Sequence, residues 1–340
     1  MWPGVLRAKG ELGPDEAMRR YVVIGAGALG AGIGGRLSES GARVLFVARG
    51  AHGRALAERG LELAEPDGTR QLRIEVLLGA EGLQLGADDI VLLCVKSQHT
   101  KQALSQLRLP RSVPVVCVQN GVSNEVVAAR MVDQVIGALA WVPATLLHPG
   151  RVEIHARPPG MLMFGVWPTG QHRLAEDLQE AFQRAGFIAR AVQDIRRYKY
   201  SKLLSNLLGT AQALCGPQAE LSAVRDRLIA EGEAALQAAG IAYAPMAELL
   251  EAASAIQSAH VDGAPRRGGS TWQSVARDSG SIETQHLNGE IVQLGRRFGT
   301  DVRLNARLVQ GAAQGLVQGW PAVQTTPEAL LAELPAGPSA

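Results

Sequence analysis

The sequence has little cysteine. Its three cysteines, Cys94, Cys117 and Cys215, lie far apart and show none of the close spacings that metal sites use. The first two lie in apolar, strand-like runs. We therefore predict buried, reduced thiols in a cytosolic protein, and we expect no metal centre.

An excess of one charge is also missing. The 340 residues carry 34 Lys and Arg against 32 Asp and Glu, a net charge of +2, and aromatic residues make up only 4%. A nucleic-acid-binding protein would show a marked basic excess, and single-strand binding would need more aromatic rings for stacking. The composition therefore argues against nucleic acid as a partner.

Long hydrophobic runs are absent as well. The longest, 135–147, is interrupted by Gly137 and Pro143 and falls short of the ~20 residues that a bilayer requires. Residues 1–20 include acidic side chains but no apolar run, so they do not resemble a signal peptide. We predict an N-terminal extension over 1–20, no membrane association and a cytoplasmic location.

The chain does contain enough apolar residues, 46%, for two domains of roughly 150 residues each. In the first half, short β-branched runs alternate with helical patterns, which indicates βαβ units and a parallel sheet. The predicted strands are 21–24, 43–47, 90–95, 113–118, 135–141, 151–154, 161–166 and 188–191. The predicted helices of this half are 29–40, 51–59, 100–107, 123–131 and 174–185. A hairpin of 61–63 and 72–76 is expected around the turn Pro66-Asp67-Gly68.

Strand patterns disappear from Asp194 onward, and the remaining periodic segments are helical in pattern. They are 196–215, 222–239, 247–258, 281–298 and 304–317. Loop 262–270 is rich in Gly, Pro and Arg, and we expect it to be mobile. The sequence thus predicts an α/β domain over 21–193, an all-α domain over 194–320 and a partly disordered tail over 321–340.

A glycine-rich turn follows the first predicted strand. The run Gly25-Ala26-Gly27-Ala28-Leu29-Gly30 fits the pattern G-x-G-x-x-G and opens the first predicted helix. In that pattern the first glycine permits a tight turn, the second lets the backbone approach a pyrophosphate, and the third allows close helix–strand packing. The N–H groups at the helix N-terminus then hold the anion. We predict that this run binds a dinucleotide.

The end of the second strand indicates which dinucleotide. It reads Val47-Ala48-Arg49, with no acidic residue before Glu58. A protein that binds NAD presents Asp or Glu there, which hydrogen-bonds the ribose 2′-hydroxyl. An arginine pairs instead with a 2′-phosphate, which an acid would repel. Arg49 is either a binding residue for NADP(H) or a solvated charge, and the sequence favours NADP(H).

Polar side chains lie at three further places where a ligand could be bound. Lys96 ends an apolar strand and Asn120 follows the next one, at the sheet edge where α/β proteins bind ligands. In the helical half, Lys202 and Asn206 are four residues apart and therefore share one helix face. For Lys202 taken alone, a solvated helix lysine is the commoner explanation.

Together these pieces resemble the ketopantoate reductase family, the 2-dehydropantoate 2-reductases, from Tyr21 to about Val317. The matching motifs are Gly25–Gly30, Val95-Lys-Ser-Gln-His-Thr100, Gln119-Asn-Gly121, Asp194-Ile195 with Lys202-Leu-Leu-Ser-Asn206, Ser270-Thr-Trp-Gln-Ser274, Ile282-Glu-Thr284 and Asn288-Gly289. The resemblance implies an α/β N-terminal Rossmann domain with a parallel sheet and an all-α C-terminal domain. It also implies NADPH-dependent reduction of 2-dehydropantoate to pantoate, a step of pantothenate biosynthesis.

The resemblance further implies roles for single residues. Lys202 would be the catalytic lysine, supplying a proton or positive charge to the carbonyl oxygen, and Glu283 would be its acidic partner. The implied binding residues are Asn120 and Asn206 for substrate or cofactor, Ser270 and Thr271 for the substrate carboxylate, and Lys96 for the cofactor. For Glu283 a second explanation stays open, because an acid at the start of the predicted helix 281–298 would complement the helix dipole.

Three positions depart from the usual pattern of that family. Gly209-Thr210 stand where a second Asn is usual, Gln285 where an acidic residue is common, and Arg303 where a Pro is frequent. The preferred 2-oxo acid therefore stays open. The alternatives are a reductase of another branched 2-oxo acid, a β-hydroxyacid or 6-phosphogluconate-type dehydrogenase, and a non-catalytic NADP(H)-sensing protein. A homodimer is a further expectation, from the apolar faces of the helical domain.

Overall fold

The computed structural model describes residues 19–277 and 280–332. Most of the predicted N-terminal extension and the end of the predicted tail, 333–340, lie outside the described residues. The described chain divides into two compact units. The first comprises 19–119, 123–196 and 250–266, and the second comprises 120–122, 197–249 and 267–332.

All strands of the described residues belong to the first unit. They are β1 (Arg20–Ile24), β2 (Arg43–Ala48), β3 (Leu61–Glu65), β4 (Gly68–Leu72), β5 (Glu75–Leu78), β6 (Asp89–Leu93), β7 (Val115–Cys117), β8 (Val135–Trp141), β9 (Ala144–Thr145), β10 (Arg151–Ile154), β11 (Ala156–Arg157), β12 (Met161–Val166), β13 (Ile188–Ala191) and β14 (Gln257–Ser258). The helices that flank them are α1 (Ala28–Glu39), α2 (Gly50–Arg59), α3 (Thr100–Gln106), α4 (Asn124–Ala128) and α5 (Arg173–Arg184).

A sheet of eight strands forms the centre of the first unit. Its order is β13-β12-β8-β7-β6-β1-β2-β5, and every neighbouring pair is parallel except β12 with β8. Along β1, Val22 enters the hydrophobic cluster on one face and Val23 the cluster on the other. Because both faces are buried, the strand has a continuous apolar sequence instead of an alternating one. The predicted α/β fold is confirmed.

The hairpin predicted after α2 is present, but with a different second strand. β3 pairs antiparallel with β4, and Leu61 lies opposite Leu72. The short loop Pro66-Asp67 fixes this register, so the second strand is β4 and the predicted strand 72–76 is wrong. The residues that follow form β5, which pairs in parallel with β2 at the edge of the central sheet.

Helices make up the second unit, which confirms the predicted all-α character of this part. In chain order they are α6 (Ile195–Asn206), which begins in the first unit, α7 (Gly209–Cys215), α8 (Ser222–Ala238), α9 (Met246–Ala252), α10 (Ser270–Ala276), α11 (Asn288–Phe298), α12 (Arg303–Gln318) and α13 (Pro327–Leu331). Helix α13 lies in the segment that was predicted to be a partly disordered tail. Thr326 caps it by accepting the Ala329 N–H at 3.2 Å, and Leu330 is buried.

The predicted helix 196–215 is wrong as a single element, because the chain breaks between Asn206 and Gly209. A residue distant in sequence explains the break. The side-chain amide of Asn288 donates a hydrogen bond to the carbonyl of Leu207 at 3.0 Å. A carbonyl that is satisfied by a side chain no longer needs the N–H group of the next helical turn.

The predicted helix 247–258 is also wrong over its second half. Helix α9 ends at Ala252, and β14 pairs antiparallel with β11, both strands lying within the first unit. The backbone N–H of Ala259 continues this pairing by donating to the carbonyl of His155 at 3.0 Å. Strand pairing with a distant segment therefore overrides the local helical pattern.

A third correction concerns the predicted helix 281–298. Helix α11 begins only at Asn288, and a separate 3-10 turn covers Thr284–His286. In the loop predicted to be mobile, 262–270, Ser270 already belongs to α10. Both changes affect residues assigned to the site, because Glu283 lies outside the first turn of α11 and Ser270 begins a helix.

The cysteines give no indication of function, and neither do the lengths of the helices. All three cysteines are free thiols, with Cys117 buried and Cys94 and Cys215 half-buried. Burial raises the pKa of the Cys94 thiol, and burial with the nearby Glu328 raises that of Cys215, so both stay protonated at neutral pH. Within the described ranges, no helix is long and apolar enough to cross a membrane, and no three candidate metal ligands cluster.

A buried carboxylate stabilises the second unit. Glu231 on α8 is 3% exposed and accepts the backbone N–H groups of Leu304 and Asn305, each at 3.0 Å. It also accepts the side-chain amide of Asn305 at 2.9 Å and pairs with Arg227 at 3.3 Å. Glu231 thus caps the N-terminus of α12 from another helix, where the helix dipole favours a negative charge.

We expect Glu231→Gln to lower the free energy of unfolding by about 1.5–3 kcal/mol, because hydrogen bonds to a charged group would be lost in a buried place. Urea denaturation measures the change. Asp226→Asn on the same helix is the matched control, since its ion pair with Arg225 is exposed and should contribute about 0–1 kcal/mol. Equal stability of the two variants would contradict a capping role for Glu231.

Candidate active site

The glycine turn joins β1 to α1 with the geometry that a pyrophosphate requires. Gly25 has a φ of +95°, and a Cβ there would lie 2.8 Å from Val95. Gly27 begins α1 with no side-chain cap, and a Cβ there would meet nothing within 4 Å. A Cβ at Gly30 would lie 2.2 Å from the carbonyl oxygen of Gly25. The helix N-terminus is therefore open beside Gly27, and these residues fit a dinucleotide phosphate.

A cleft of about 250 Å³ lies against this turn, within the first unit. Its walls come from the ends of β1 and β2, from the start of α2 and from α3. The lining residues include Gly25, Ala26, Gly27, Ala48, Arg49, His52, Val95, His99, Gln102 and Ala103. The cleft therefore borders both the predicted phosphate turn and the predicted NADP(H) residue Arg49.

Arg49 follows the last residue of β2 and is the N-cap of α2. Its side chain is exposed, and within the part of the chain that the structure describes it makes no hydrogen bond or ion pair. No acidic side chain lies in the first turn of α2. The end of β2 therefore offers an unneutralised guanidinium at the cleft.

Lys96 precedes a short 3-10 turn, Ser97–His99, at the end of β6. A chain of buried hydrogen bonds fixes this turn. Gln119 donates to the hydroxyl of Thr100 at 2.7 Å, and that hydroxyl donates to the side-chain oxygen of Asn124 at 2.8 Å. The amide of Asn124 in turn donates to Ser97 at 3.2 Å. The ends of β6 and β7 are thus held together by buried polar side chains.

The second unit brings together the predicted substrate residues Asn120 and Asn206. The amide of Asn206 donates to the side-chain oxygen of Asn120 at 3.1 Å, although the two are 86 positions apart in the chain. Lys202 is half-buried one helical turn before Asn206 on α6. Lys202 and Asn206 therefore lie on one face of α6, and Asn120 contacts that face through its hydrogen bond with Asn206.

Thr271 packs against the start of α7. It is 5% exposed, and a Cβ at Gly209 would lie 2.9 Å from its hydroxyl oxygen. A side chain at Gly209 would therefore displace Thr271. Ser270, the preceding residue, is exposed at the first position of α10. The departure from the family pattern at Gly209 has a packing reason in this close approach.

Thr210, the second residue at the position where the family usually has an Asn, makes buried hydrogen bonds. Its hydroxyl lies 2.7 Å from that of Thr284 and donates to Asn288 at 3.3 Å, and all three residues are buried. Glu283 is half-buried and immediately precedes Thr284. The start of α7 thus anchors the segment that carries Glu283. The other two departures are peripheral in the described structure: Gln285 is exposed, and Arg303 pairs with Asp301 at 2.9 Å.

Sequence reasoning missed the supporting polar residues. Asn124 and Thr210 were given no role, and Thr284 and Asn288 were quoted only as parts of motifs. Each is a single polar residue within a helical or loop pattern, and its hydrogen-bond partners are at least 17 positions away. No local signal separates such residues from solvated ones, so only the fold identifies them.

The glycine turn, the arginine at the end of β2 and the helical unit that follows define a two-unit dinucleotide-binding protein of the Rossmann type. The chain belongs to the ketopantoate reductase family PanE/ApbA. The family model matches residues 21–169, and the model of its C-terminal part matches residues 194–314. The two matches cover both units.

Several curated relatives are named 2-dehydropantoate 2-reductase. The 2-dehydropantoate 2-reductase of Pyrococcus horikoshii is 30% identical over 188 residues, 55% of this chain and 60% of that protein. The 2-dehydropantoate 2-reductase of Archaeoglobus fulgidus is 28% identical over 303 residues, 88% of this chain and 99% of that protein. The chain therefore matches the first relative over only part of its length and the second over nearly all of it.

Solved structures share the fold. A PanE/ApbA family ketopantoate reductase from Ralstonia eutropha has a TM-score of 0.72 at 26% identity, covering 88% of this chain and 99% of that chain. A ternary structure of D-mandelate dehydrogenase with NADH and anilino(oxo)acetate has a TM-score of 0.73 at 18% identity, covering 92% and 99%. At 18% identity the likeness concerns the fold alone.

Proposed function

We propose that the protein catalyses the NADPH-dependent reduction of 2-dehydropantoate to pantoate, a step of pantothenate biosynthesis. The observation that carries the proposal is the polar cluster Lys202, Asn206 and Asn120 in a chain whose two units both match the family. A protein that only sensed NADP(H) would need the glycine turn and Arg49 but no such cluster. We assign the cofactor to the domain 21–193 and the substrate to the domain 194–320.

The residues proposed to hold NADPH are those with the geometry that fits it. The backbone of Gly25 to Gly30 receives the pyrophosphate at the N-terminus of α1. Arg49 pairs with the 2′-phosphate, and Lys96 and Asn120 contact the cofactor beyond the turn. When bound, NADPH supplies the hydride for the carbonyl carbon of the substrate.

Lys202 is the proposed proton donor. Reduction of a 2-oxo acid places negative charge on the carbonyl oxygen, and an ammonium group there stabilises that charge and delivers the proton. Glu283 orients the ammonium and keeps it charged. Asn206 and Asn120 hydrogen-bond the substrate, and the hydroxyls of Ser270 and Thr271 bind its carboxylate. Two of these side chains are positioned by contacts within the protein. Asn206 donates a hydrogen bond to Asn120, and Thr271 packs closely against Gly209.

A second candidate function is reduction of another branched 2-oxo acid. The observation that favours it is Thr210, which stands where a second Asn is usual in the family and whose hydroxyl contacts Thr284 and Asn288. A panel assay distinguishes the two candidates: NADPH oxidation is followed with 2-dehydropantoate and with branched 2-oxo acids that lack its hydroxyl. We expect the highest kcat/KM for 2-dehydropantoate, and a higher value for a hydroxyl-free acid would favour the second candidate.

Arg49 tests the cofactor assignment. We expect Arg49→Ala to weaken NADPH binding about tenfold to a hundredfold, because a charge-assisted contact with the 2′-phosphate is lost, and to leave NADH binding nearly unchanged. Fluorescence titration of both cofactors measures the two dissociation constants. Arg54→Ala, an exposed arginine one turn along α2, is the control. An equal loss of affinity for NADPH and NADH would mean that Arg49 stabilises the end of β2 and does not bind the 2′-phosphate.

The proposal includes a homodimer in the cytoplasm. Three large apolar side chains of the helical unit are exposed: Phe298 by 41%, Leu316 by 45% and Val317 by 85%. Leu316 and Val317 adjoin each other near the end of α12, and we expect the apolar contact between the two copies there. Light scattering on the purified protein is the test, and a mass of one chain at micromolar concentration would contradict the dimer.

A further inference from the structure

A second cavity, of about 870 Å³, adjoins the cofactor cleft within the first unit. The two share five lining residues, Arg49, Gly79, Ala80, Gln106 and Leu107. Arg49 therefore borders both spaces. The residues that line the second cavity but not the cofactor cleft are Leu78, residues 81–85 and Arg108, which follows the C-cap of α3.

Arg108 adopts a backbone conformation that is unusual for its type. Helix α3 ends at Gln106 with Leu107 as C-cap, and Arg108 follows with a φ of +43°. Glycine is the ordinary residue at this position, because the left-handed conformation costs a residue with a Cβ roughly 1–2 kcal/mol. A cost of this kind without a packing reason points to a use for the side chain.

The guanidinium of Arg108 is available to a ligand. The side chain is exposed, and within residues 19–277 and 280–332 it makes no hydrogen bond or ion pair. Nearby Arg111 differs, because Asp133 binds it at 2.6 Å. The cavity thus has two unneutralised guanidinium groups, Arg49 and Arg108, and one acid, the exposed Glu81.

The charge of the ligand matches this pair. A phosphate monoester carries about −1.5 to −2 charges at neutral pH, and one arginine neutralises only part of that. We propose that Arg108, which lines the same cavity as Arg49, is a second binding residue for the 2′-phosphate of NADPH. This inference rests on the proposed cofactor. Glu81 opposes the phosphate and limits the preference for NADPH over NADH.

The substitution Arg108→Gly tests this role cleanly, because glycine adopts the positive φ without strain. If the guanidinium binds the phosphate, the variant will bind NADPH about tenfold more weakly, bind NADH unchanged, and melt at the same or a higher temperature. Arg108→Lys should recover part of the NADPH affinity, since it restores the charge but not the bidentate geometry. Glu81→Gln should raise the preference for NADPH.

The control is Arg111→Ala, which removes an arginine of the same loop that is already paired. Unchanged NADPH binding by Arg108→Gly, or equal loss for NADPH and NADH, would overturn the inference. If either of these results is obtained while the wild-type protein reduces a 2-oxo acid, the proposed function stands and only the role of Arg108 is rejected. Conversely, NADPH binding that depends on Arg108 in a protein that reduces no 2-oxo acid would support the inference and contradict the proposed function.

Discussion

Replacing Lys202 by alanine is expected to lower the turnover of 2-dehydropantoate by about a hundredfold to a thousandfold, with NADPH binding intact. Removal of a group that stabilises developing negative charge costs about 3–4 kcal/mol of transition-state stabilisation. Lys202 is half-buried on α6, one turn before Asn206, whose amide is bound to Asn120. The lysine is therefore part of an ordered cluster, whereas a solvated lysine would affect turnover little.

The measurement is the steady-state rate of NADPH oxidation, with cofactor binding followed separately by fluorescence. Lys101→Ala provides the control, because that lysine is exposed on α3. We expect kcat of the control to stay within about twofold. Turnover of Lys202→Ala within a few-fold of the wild type would place the proton donor elsewhere.

Glu283→Gln is expected to reduce turnover by about a hundredfold, with only a small change in melting temperature. The competing explanation for this residue was the dipole of a helix over 281–298. Because α11 begins at Asn288 and has Glu290 in its first turn, Glu283 is not placed to complement that dipole. Glu283 instead precedes Thr284, which is fixed through its contact with Thr210 at 2.7 Å.

Glu290→Gln is the matched control for Glu283→Gln. Glu290 lies in the first turn of α11, where its charge complements the helix dipole, so Glu290→Gln should change stability slightly and turnover little. Both variants are compared by kcat, by KM for the 2-oxo acid and by thermal melting. A fall in melting temperature for Glu283→Gln without a fall in kcat would make this residue structural.

The sequence was most informative where the signal is local. The apolar runs of β1, β8 and β12 were predicted to within one residue at each end, because these strands are buried along most of their length and are continuously apolar. The glycine turn was predicted for a similar reason. Gly25 has a positive φ, Gly27 leaves the helix N-terminus open, and Gly30 lies close to the Gly25 carbonyl. Each of these requirements favours glycine, so the spacing of the three glycines is visible in the sequence.

The elements that were predicted wrongly depend on partners far along the chain. Helix α6 stops because Asn288 binds the carbonyl of Leu207, and β14 forms because residues 156–157 offer a strand edge. The start of α11 depends likewise on Thr210. The same limit applies to the site: Lys202 and Asn206 could be paired by helical spacing, but their neighbour Asn120 follows only from the fold.

Deuterium transfer tests the central claim most directly. The protein is incubated with 2-dehydropantoate and NADPH that carries deuterium at the transferred position of the nicotinamide ring, and pantoate is examined by mass spectrometry. The account predicts pantoate with one deuterium on the former carbonyl carbon, in amounts equal to the NADPH consumed, and almost none from the Lys202→Ala variant. NADPH bound but not consumed, or pantoate formed without the label, would contradict it.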